Sequence, residues 1–257
     1  MRRLNGVKEV LRSGGVVLGS FIRTASLEMA EILACSGFDF VTVDTEHGSI
    51  SPERILEMVV AIENQAKVAV VRVAENSPKA IMAALDAGAA GIHVPKVASR
   101  AEAIAAVQST HYPPAGQRGV ALVTRAAGYG LMQRDEYLKF ARDETVLIIA
   151  VEDAETIGRL PEILEVHGID VVFVGHSDLS GSLGLTGQID HPRVQKAIDD
   201  ILNIVTRKGV VAGIPAYTPE AVERRVKQGF RYITTTAEGL FLKACQEYQE
   251  ARKVLKD

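Results

Sequence analysis

Residues 38–47 read Phe-Asp-Phe-Val-Thr-Val-Asp-Thr-Glu-His, an apolar run that ends in three ionisable side chains. β-Branched and aromatic residues dominate the run, which is typical of a buried strand. Charged side chains that follow a parallel strand lie at the carboxyl edge of the sheet, which is where active sites of such folds are found. Asp44 and His47 are close enough in sequence to hydrogen-bond, and such a pair makes a base that titrates near neutral pH.

The same strand pattern recurs along the chain, and a helical pattern follows each occurrence. Strands are predicted at 16–21, 38–43, 68–73, 91–95, 146–151, 171–175, 210–214 and 232–236. Helices are predicted at 27–35, 52–64, 78–86, 100–108, 154–166, 193–208, 220–228 and 240–254. Eight strand–helix units in strict alternation, with strands that are apolar on both faces, predict an α/β fold: the (β/α)8 TIM barrel. An open doubly wound sheet is disfavoured because the sequence has no G-x-G-x-x-G turn. We therefore predict a single barrel domain over residues 1–257.

One insertion, residues 110–139, is too long for an ordinary connection. Long loops in compact domains are usually functional or disordered. This one contains His-Tyr-Pro-Pro-Ala-Gly-Gln-Arg-Gly at 111–119, and its prolines and aromatic residues predict an ordered segment at the active site or at an interface.

The composition argues against several classes of protein. The formal net charge of −3 offers no cationic surface for nucleic acid. The sequence contains no run of about 18 apolar residues, so no membrane span is expected, and residues 1–7 lack the pattern of a secretory leader. Two cysteines, Cys35 and Cys245, fall in predicted helices. We expect them to be reduced thiols in the core of a cytoplasmic protein.

Carboxylates follow two neighbouring predicted strands. In a (β/α)8 barrel the catalytic face is the one where strands end, and Glu152 and Asp178 fall there after the fifth and sixth strands. Two carboxylates with open positions left for water and substrate suit a hard divalent cation such as magnesium or manganese. Each could instead be an ordinary carboxylate at a helix terminus or turn.

Two cations also follow predicted strands. Arg72 ends a run that should be buried, so its guanidinium needs an anionic partner. It could stabilise an enolate or bind a carboxylate, and a structural ion pair with Glu46 or Glu152 is compatible with either role. Lys96, after the fourth strand, could form a Schiff base with a keto acid, for which it would need a lowered pKa.

The segment Gly-His-Ser-Asp-Leu-Ser at 175–180 is predicted to be a turn. Backbone N–H groups exposed around His176 and Ser177 could hold a substrate carboxylate, and Gly175 would allow the backbone to approach it closely.

Taken together, these segments resemble the metal-dependent class II pyruvate aldolases, the family of the 4-hydroxy-2-oxoheptanedioate and 2-dehydro-3-deoxyglucarate aldolases. The match runs from about the first strand to the eighth, and its segments occur in the family's order. They are Asp-Thr-Glu-His at 44–47, Val-Arg at 71–72, Leu-Asp-Ala-Gly at 85–88, Val-Pro at 94–95, Tyr-Pro-Pro-x-Gly-x-Arg-Gly at 112–119, Glu152, and Gly-x-x-Asp-Leu-Ser at 175–180. The segments at 44–47 and 112–119 are the specific ones.

The resemblance implies a reaction. A barrel of the pyruvate- and phosphoenolpyruvate-utilising type would reversibly cleave a 4-hydroxy-2-oxo acid to pyruvate and an aldehyde, through a metal-stabilised enolate. Glu152 and Asp178 would bind the divalent metal, which is magnesium, manganese or cobalt, and the metal would chelate pyruvate or oxaloacetate. The family also suggests a hexamer in which the last helix is exchanged between neighbours, with Asp86 near an interface.

The resemblance also implies roles for the remaining residues. His47, oriented by Asp44, would be the general base, and Arg72 would stabilise the enolate oxygen and bind substrate. His176 and Ser177, together with Asp178, would hold the keto acid.

Three positions depart from the family. Ala150 stands where glutamine is usual, His176 where proline is frequent, and Phe40 where tryptophan is common. Such changes fit a specialised relative, so two alternatives stay open. One is a Claisen-type synthase or lyase that uses oxaloacetate and an acyl-CoA, as the citrate-forming enzymes of siderophore pathways do. The other is a non-catalytic barrel that binds keto acids, although a binding protein has no need for a base.

Overall fold

The computed structural model describes residues 4–252, which form a closed barrel of parallel strands. Each strand pairs with the next, and the first pairs with the last. The strands are β1 (Val17–Ile22), β2 (Phe40–Asp44), β3 (Val68–Arg72), β4 (Gly91–Val94), β5 (Val146–Val151), β6 (Val171–Val174), β7 (Val211–Pro215) and β8 (Tyr232–Thr236). This confirms the predicted (β/α)8 barrel.

Helices cover the outside of the barrel. They are α1 (Gly6–Arg12), α2 (Leu27–Cys35), α3 (Pro52–Asn64), α4 (Pro78–Ala87), α5 (Arg100–Thr110), α6 (Arg134–Glu144), α7 (Leu160–Ile163), α8 (His176–Ser182), α9 (Pro192–Arg207), α10 (Pro219–Gln228) and α11 (Ala237–Gln249). Several begin as the sequence dictates. Ser26 caps α2 through its side chain, for example, and proline occupies the first turn of α3, α4, α9 and α10.

Alternate residues of each strand face two different cores. Apolar side chains such as Val41 and Val43 pack against the helices, while Phe21, Phe40 and Tyr232 fill the barrel interior. Because side chains alternate along a strand, the interior set continues to the carboxyl end of each strand. Asp44 on β2 and Arg72 on β3 are paired in register there. The fold therefore aims these two ionisable side chains into the mouth of the barrel.

The N-terminal end of the barrel is closed by α1, a helix that the sequence analysis missed. Val7 and Leu11 pack into the barrel interior. The Lys8 ammonium donates to the carbonyl oxygen of Thr145 at 2.6 Å and lies 3.2 Å from the Asp170 carboxylate. A helix of 7 residues is too short to show a clear apolar period, so its stability depends on these tertiary contacts.

The insertion is ordered, as predicted, but it does not lie at the active site. It contains a 3-10 helix (Arg125–Gly130) and α6, and Tyr112 and Tyr137 join across it through their hydroxyl groups at 3.0 Å. Together with Leu4, Lys67 and Val68 it lines a groove of about 990 Å³ at the N-terminal ends of the strands. The reason is topological: the insertion follows a helix and precedes a strand, and such connections lie opposite the catalytic face.

Smaller differences concern helices and cysteines. Residues 154–166, predicted as one helix, form a 3-10 helix (Ala154–Arg159) and the short α7. Residues 176–182, part of which was predicted as a turn, form α8. The last predicted helix ended at Val254, which lies outside the described residues.

Cys35 and Cys245 are free thiols, but both are exposed rather than in the core. Among residues 4–252, no helix is long and apolar enough to cross a membrane.

Candidate active site

A cavity of about 260 Å³ opens where the strands end. It contains six of the seven side chains predicted from the sequence to form the site. Its lining consists of Phe21, Arg23, His47, Arg72, Glu152, Phe173, Gly175, His176, Ser177, Asp178, Pro215, Tyr217, Thr234, Thr235 and Thr236. The seventh predicted residue, Asp44, lies fully buried behind this lining.

Asp44 anchors Arg72. The Nε and Nη2 atoms of Arg72 donate to the two Asp44 carboxylate oxygens at 2.9 and 2.5 Å, a bidentate pair of the strong kind. The remaining nitrogen, Nη1, lies 3.2 Å from Glu46. Burial acts to raise the pKa of Asp44, but the hydrogen bonds and charge of Arg72 outweigh it and hold that pKa below its ordinary value. Arg72 is thus a fixed cation at the floor of the cavity.

The expected hydrogen bond between the Asp44 carboxylate and the His47 ring is wrong. Asp44 accepts from the backbone N–H of His47 at 3.2 Å and from that of Glu46 at 3.1 Å. Its oxygens are already occupied by Arg72 and by the Nε of Arg23 at 3.1 Å. Asp44 therefore orients His47 through the backbone, while the His47 ring, about half exposed, has its Nε2 3.8 Å from Glu46.

Glu152 is buried at the end of β5 without a compensating cation in direct contact. Its Oε2 atom accepts no hydrogen bond from the described residues. Burial first, then the charges of Glu46 and Asp178, raise the pKa of Glu152 to about 7. Gly175 makes room for this side chain, since a Cβ atom there would lie 2.5 Å from the Cγ of Glu152.

Glu152 and Asp178 both line the cavity and are the two carboxylates that could hold a divalent cation there. The Oε2 atom of Glu152 is buried without a partner among the described residues, and the Asp178 carboxylate on α8 lines the same cavity. A cation bound between the two would relieve the unpaired oxygen. Within residues 4–252, no group of three or more His, Cys, Asp or Glu side chains is arranged to hold a metal ion. Two carboxylates suffice for magnesium, which keeps waters or substrate oxygens in its remaining positions.

His176 and Ser177 occupy the start of α8. His176 is buried and packs edge-to-face against Tyr217, with ring centroids 5.9 Å apart. Burial, with the charge of Arg225, lowers the pKa of His176 to about 4, so the ring is neutral at pH 7. Ser177 is exposed to the cavity, and its hydroxyl lies 3.3 Å from the His176 Nδ1.

Lys96 and Ala150 lie near the site without lining the cavity. The side chain of Lys96 is 68% exposed and its ammonium lies 3.6 Å from Glu46, so it lacks the desolvated pocket that activates a Schiff-base lysine. Ala150 is fully buried two residues before Glu152 on β5, at the position where the family usually has glutamine.

Two ionisable residues of the cavity, Arg23 and Tyr217, were not predicted from the sequence. Arg23 follows β1 directly, and Tyr217 lies two residues after β7. Both positions are strand ends, so the rule that identified Arg72 and Glu152 would have found them. The first strand was predicted to end at Phe21, one residue before β1 ends, and no site residue was assigned after the seventh strand.

Comparison with known proteins agrees with this architecture. The chain is 35% identical over 239 residues to the hydroxypyruvate/pyruvate aldolase of Sagittula stellata, covering 93% of this chain and 94% of that protein. It is also 35% identical over 230 residues to the 2-keto-3-deoxy-L-rhamnonate aldolase of Escherichia coli K12, covering 89% of this chain and 85% of that protein.

A solved structure shares the fold throughout. A HpcH/HpaI aldolase/citrate lyase family protein from Burkholderia cenocepacia J2315 superposes with a TM-score of 0.91 at 34% identity, covering 96% of this chain and 99% of that one. The model of the HpcH/HpaI aldolase/citrate lyase family matches residues 18–243. The chain therefore belongs to the HpcH/HpaI aldolase/citrate lyase family and is a carbon–carbon lyase of the class II pyruvate aldolase group.

Proposed function

We propose that the protein reversibly cleaves a 4-hydroxy-2-oxo acid into pyruvate and an aldehyde, with a divalent cation bound by Glu152 and Asp178. The observation that carries the proposal is the unpaired, buried Oε2 of Glu152, which faces a cavity that also contains a fixed guanidinium and an accessible imidazole. A bound cation supplies Lewis-acid chemistry, because it polarises the ketone of the keto acid and acidifies the neighbouring methyl group. Magnesium, manganese and cobalt all suit the two carboxylates.

Arg72 holds the negative charge that develops on the ketone oxygen. Its bidentate pair with Asp44 fixes the guanidinium before substrate arrives, and a preorganised donor is worth most in a site shielded from water. Asp44 is therefore a positioning residue, which acts through Arg72 and through the backbone of His47.

His47 moves the proton. Its ring lines the cavity and is about half exposed, so substrate can reach it. We assign it the role of general base, which removes a proton from C3 of pyruvate in the condensation direction and returns it in cleavage. Ser177 and the backbone at His176 bind the carboxylate of the keto acid beside Asp178, while the neutral His176 ring packs on Tyr217.

The aldol reaction is favoured over the two alternatives. The relatives at 35% identity are named aldolases, which supports aldol cleavage over a Claisen condensation with an acyl-CoA. A barrel that only bound keto acids would have no use for an accessible base beside a fixed arginine.

Further properties complete the proposal. The whole chain, residues 1–257, would form one domain of the pyruvate- and phosphoenolpyruvate-utilising type. It would work in the cytoplasm as a hexamer that exchanges its last helix, and it would bind pyruvate or oxaloacetate together with an aldehyde. The exposed apolar side chains of α11 support the assembly.

Exchange of the C3 protons of pyruvate with deuterated water tests the chemistry without requiring knowledge of the aldehyde. We expect exchange to stop after treatment with EDTA and to return with magnesium or manganese. His47→Ala should lower the exchange rate by about 100- to 10,000-fold, the usual contribution of a general base. His167→Ala, which removes an exposed histidine outside the cavity, is the control and should leave the rate unchanged.

Two results would contradict the proposal. Full exchange after complete chelation would exclude a metal from the mechanism and would favour a Schiff base on Lys96 instead. Undiminished exchange in His47→Ala, with unaltered metal binding measured by calorimetry, would remove His47 from the mechanism.

A further inference from the structure

His93 is an ionisable side chain of the barrel interior that the proposed mechanism does not use. It is fully buried on β4, and neither of its ring nitrogens has a hydrogen-bond partner among residues 4–252. A leucine would fill the same layer of the barrel at less cost, because burying a polar group without a hydrogen bond is unfavourable. A polar group that is kept in the interior without a partner calls for a reason other than stability.

We propose that His93 is a positioning residue for Arg72, which places a polar but uncharged ring beside the buried guanidinium and holds it in the orientation that the reaction needs. The inference rests on the proposed function, because it concerns the cation that holds the enolate oxygen. His93 does not line the cavity, so it acts through Arg72 rather than on substrate.

Strand register places the two side chains next to each other. Arg72 is the last residue of β3, and its Cα partner on β4 is His93. Partners in register on adjacent parallel strands point to the same face of the sheet, so both side chains enter the barrel interior side by side. Burial first, and then the charge of Arg72, lower the pKa of His93 to about 3. The ring is therefore close enough to feel that charge and is neutral at pH 7.

A second contact runs through Phe21. The His93 ring meets the rings of Phe21 and Phe173 edge-to-face, with centroids 5.7 and 4.9 Å apart. The guanidinium carbon of Arg72 lies over the Phe21 ring, 4.8 Å from its centroid, in a cation–π contact. His93 thus packs against the ring on which the guanidinium rests, and the two side chains are coupled both directly and through this ring.

A neutral polar ring suits the surroundings of Arg72. The arginine is 8% exposed, so its guanidinium has lost most of its water and depends on polar groups of the protein to replace it. Asp44 and Glu46 already supply negative charge, and a further carboxylate would compete with the enolate for the cation. A neutral imidazole contributes a dipole without such a charge. Ala150, fully buried on β5, has no polar side chain to offer in its place.

Exchange of the C3 protons of pyruvate, with the metal bound, tests the inference. His93→Leu should lower kcat for exchange by about 10-fold and keep KM for pyruvate within about twofold, because Arg72 holds charge that develops only as the enolate forms. The loss should be smaller than the about 100- to 1000-fold cost of removing a direct donor. His93→Gln, which has a similarly flexible chain with a polar end, should recover part of the lost rate.

Stability separates this role from a structural one. His93→Leu should unfold at a higher urea concentration than the unaltered protein and yet catalyse exchange more slowly, since a functional group has been exchanged for better packing. A variant that is slower and also less stable would indicate a packing role and would overturn the inference. Tyr232→Phe, which changes another fully buried polar side chain of the barrel interior outside the cavity, is the control and should keep the rate.

Two further results would overturn the role of His93. One is an unchanged exchange rate in His93→Leu. The other is an equal loss in His93→Leu and His93→Gln, because the polarity of the ring would then have no effect on the reaction.

Failure of the proposed function gives a different result. In that case the unaltered protein would show no metal-dependent exchange with pyruvate, and the inference would fall with the reaction because Arg72 would have no enolate to hold. Normal exchange in the unaltered protein that persists undiminished in His93→Leu would refute the role of His93 only.

Discussion

Gly175 determines where the Glu152 side chain can lie. It precedes α8 with an ordinary negative φ, so its conformation does not require glycine, and the requirement is purely one of space. A methyl group at this position would meet the Cγ of Glu152 at 2.5 Å and its Cδ and Oε1 at 3.2 Å. A separation of 2.5 Å cannot be accommodated without moving one of the two side chains.

Gly175→Ala should therefore displace Glu152. We expect metal affinity, measured by calorimetry, to fall at least about tenfold, and the unfolding free energy to fall by about 1–3 kcal/mol, the usual cost of overpacking. Glu152→Asp combined with Gly175→Ala shortens the obstructing side chain and should recover most of the stability without the metal affinity. The matched control is Gly158→Ala, where a Cβ meets nothing within 4 Å. Unchanged metal binding in Gly175→Ala would exclude Glu152 as a ligand.

At the scale of single residues, the sequence identified side-chain types better than contacts. Asp44, Arg72 and Glu152 were found because each ends an apolar run. Their partners depend on which strands are neighbours and in what register, as with Asp44 opposite Arg72. The register between neighbouring strands cannot be predicted from this sequence alone. For this reason the sequence suggested a hydrogen bond between Asp44 and His47, whereas the side chains of Arg23 and Arg72 donate to the Asp44 oxygens.

Strand β4 carries a histidine into the barrel interior. His93 is fully buried, its two ring nitrogens have no hydrogen-bond partner among the described residues, and its ring packs edge-to-face on Phe173 at 4.9 Å. Burial, with the charge of Arg72 on the neighbouring strand, lowers the pKa of His93 to about 3. Between about pH 6.5 and pH 3 the native protein therefore keeps this ring neutral, whereas the unfolded chain, with a pKa near 6.5, protonates it.

This histidine should make β4 a source of acid sensitivity. Between its unfolded and folded pKa values the unfolded state binds more protons, so stability is lost as the pH falls from about 6.5 towards 3. Lowering the pH from about 7 to about 5 should cost about 2 kcal/mol through His93 alone.

His93→Leu should remove this share of the pH dependence. It should also raise the stability at neutral pH, because it no longer buries polar nitrogens without partners. Urea unfolding at both pH values measures each effect. An equal loss of stability in the variant and the unaltered protein would show that His93 does not carry it.

At the scale of elements, the periodic segments were predicted well and the short ones were not. All eight strands and most of the outer helices show an apolar pattern long enough to recognise, such as α9 with its buried stripe of Val194, Ile198, Ile201 and Val205. Helix α8 has 7 residues that include Ser and Gly, which resemble a turn because their helical form depends on packing. The side of the barrel on which the insertion lies could have been predicted from chain order alone.

The whole molecule exposes an apolar surface that its own barrel does not cover. Along α11 the described residues bury only Ala237, while Phe241 and Leu242 are 61% and 58% exposed and Tyr248 is 81% exposed. Val123 and Leu131 of the insertion are similarly exposed at the other end of the barrel. Contiguous exposed apolar side chains mark interaction surfaces in soluble proteins.

Light scattering after size exclusion measures the assembly proposed above. We expect a mass of about six times the 27.7 kDa chain. Replacing Phe241 and Leu242 together by serine should yield smaller species, because these side chains would be buried between subunits and each contributes about 1.5–3 kcal/mol when buried. Ile32→Ser, at a comparably exposed position on α2, should keep the mass. A single-chain mass for the unaltered protein, or an unchanged mass for the double variant, would contradict the exchange of the last helix.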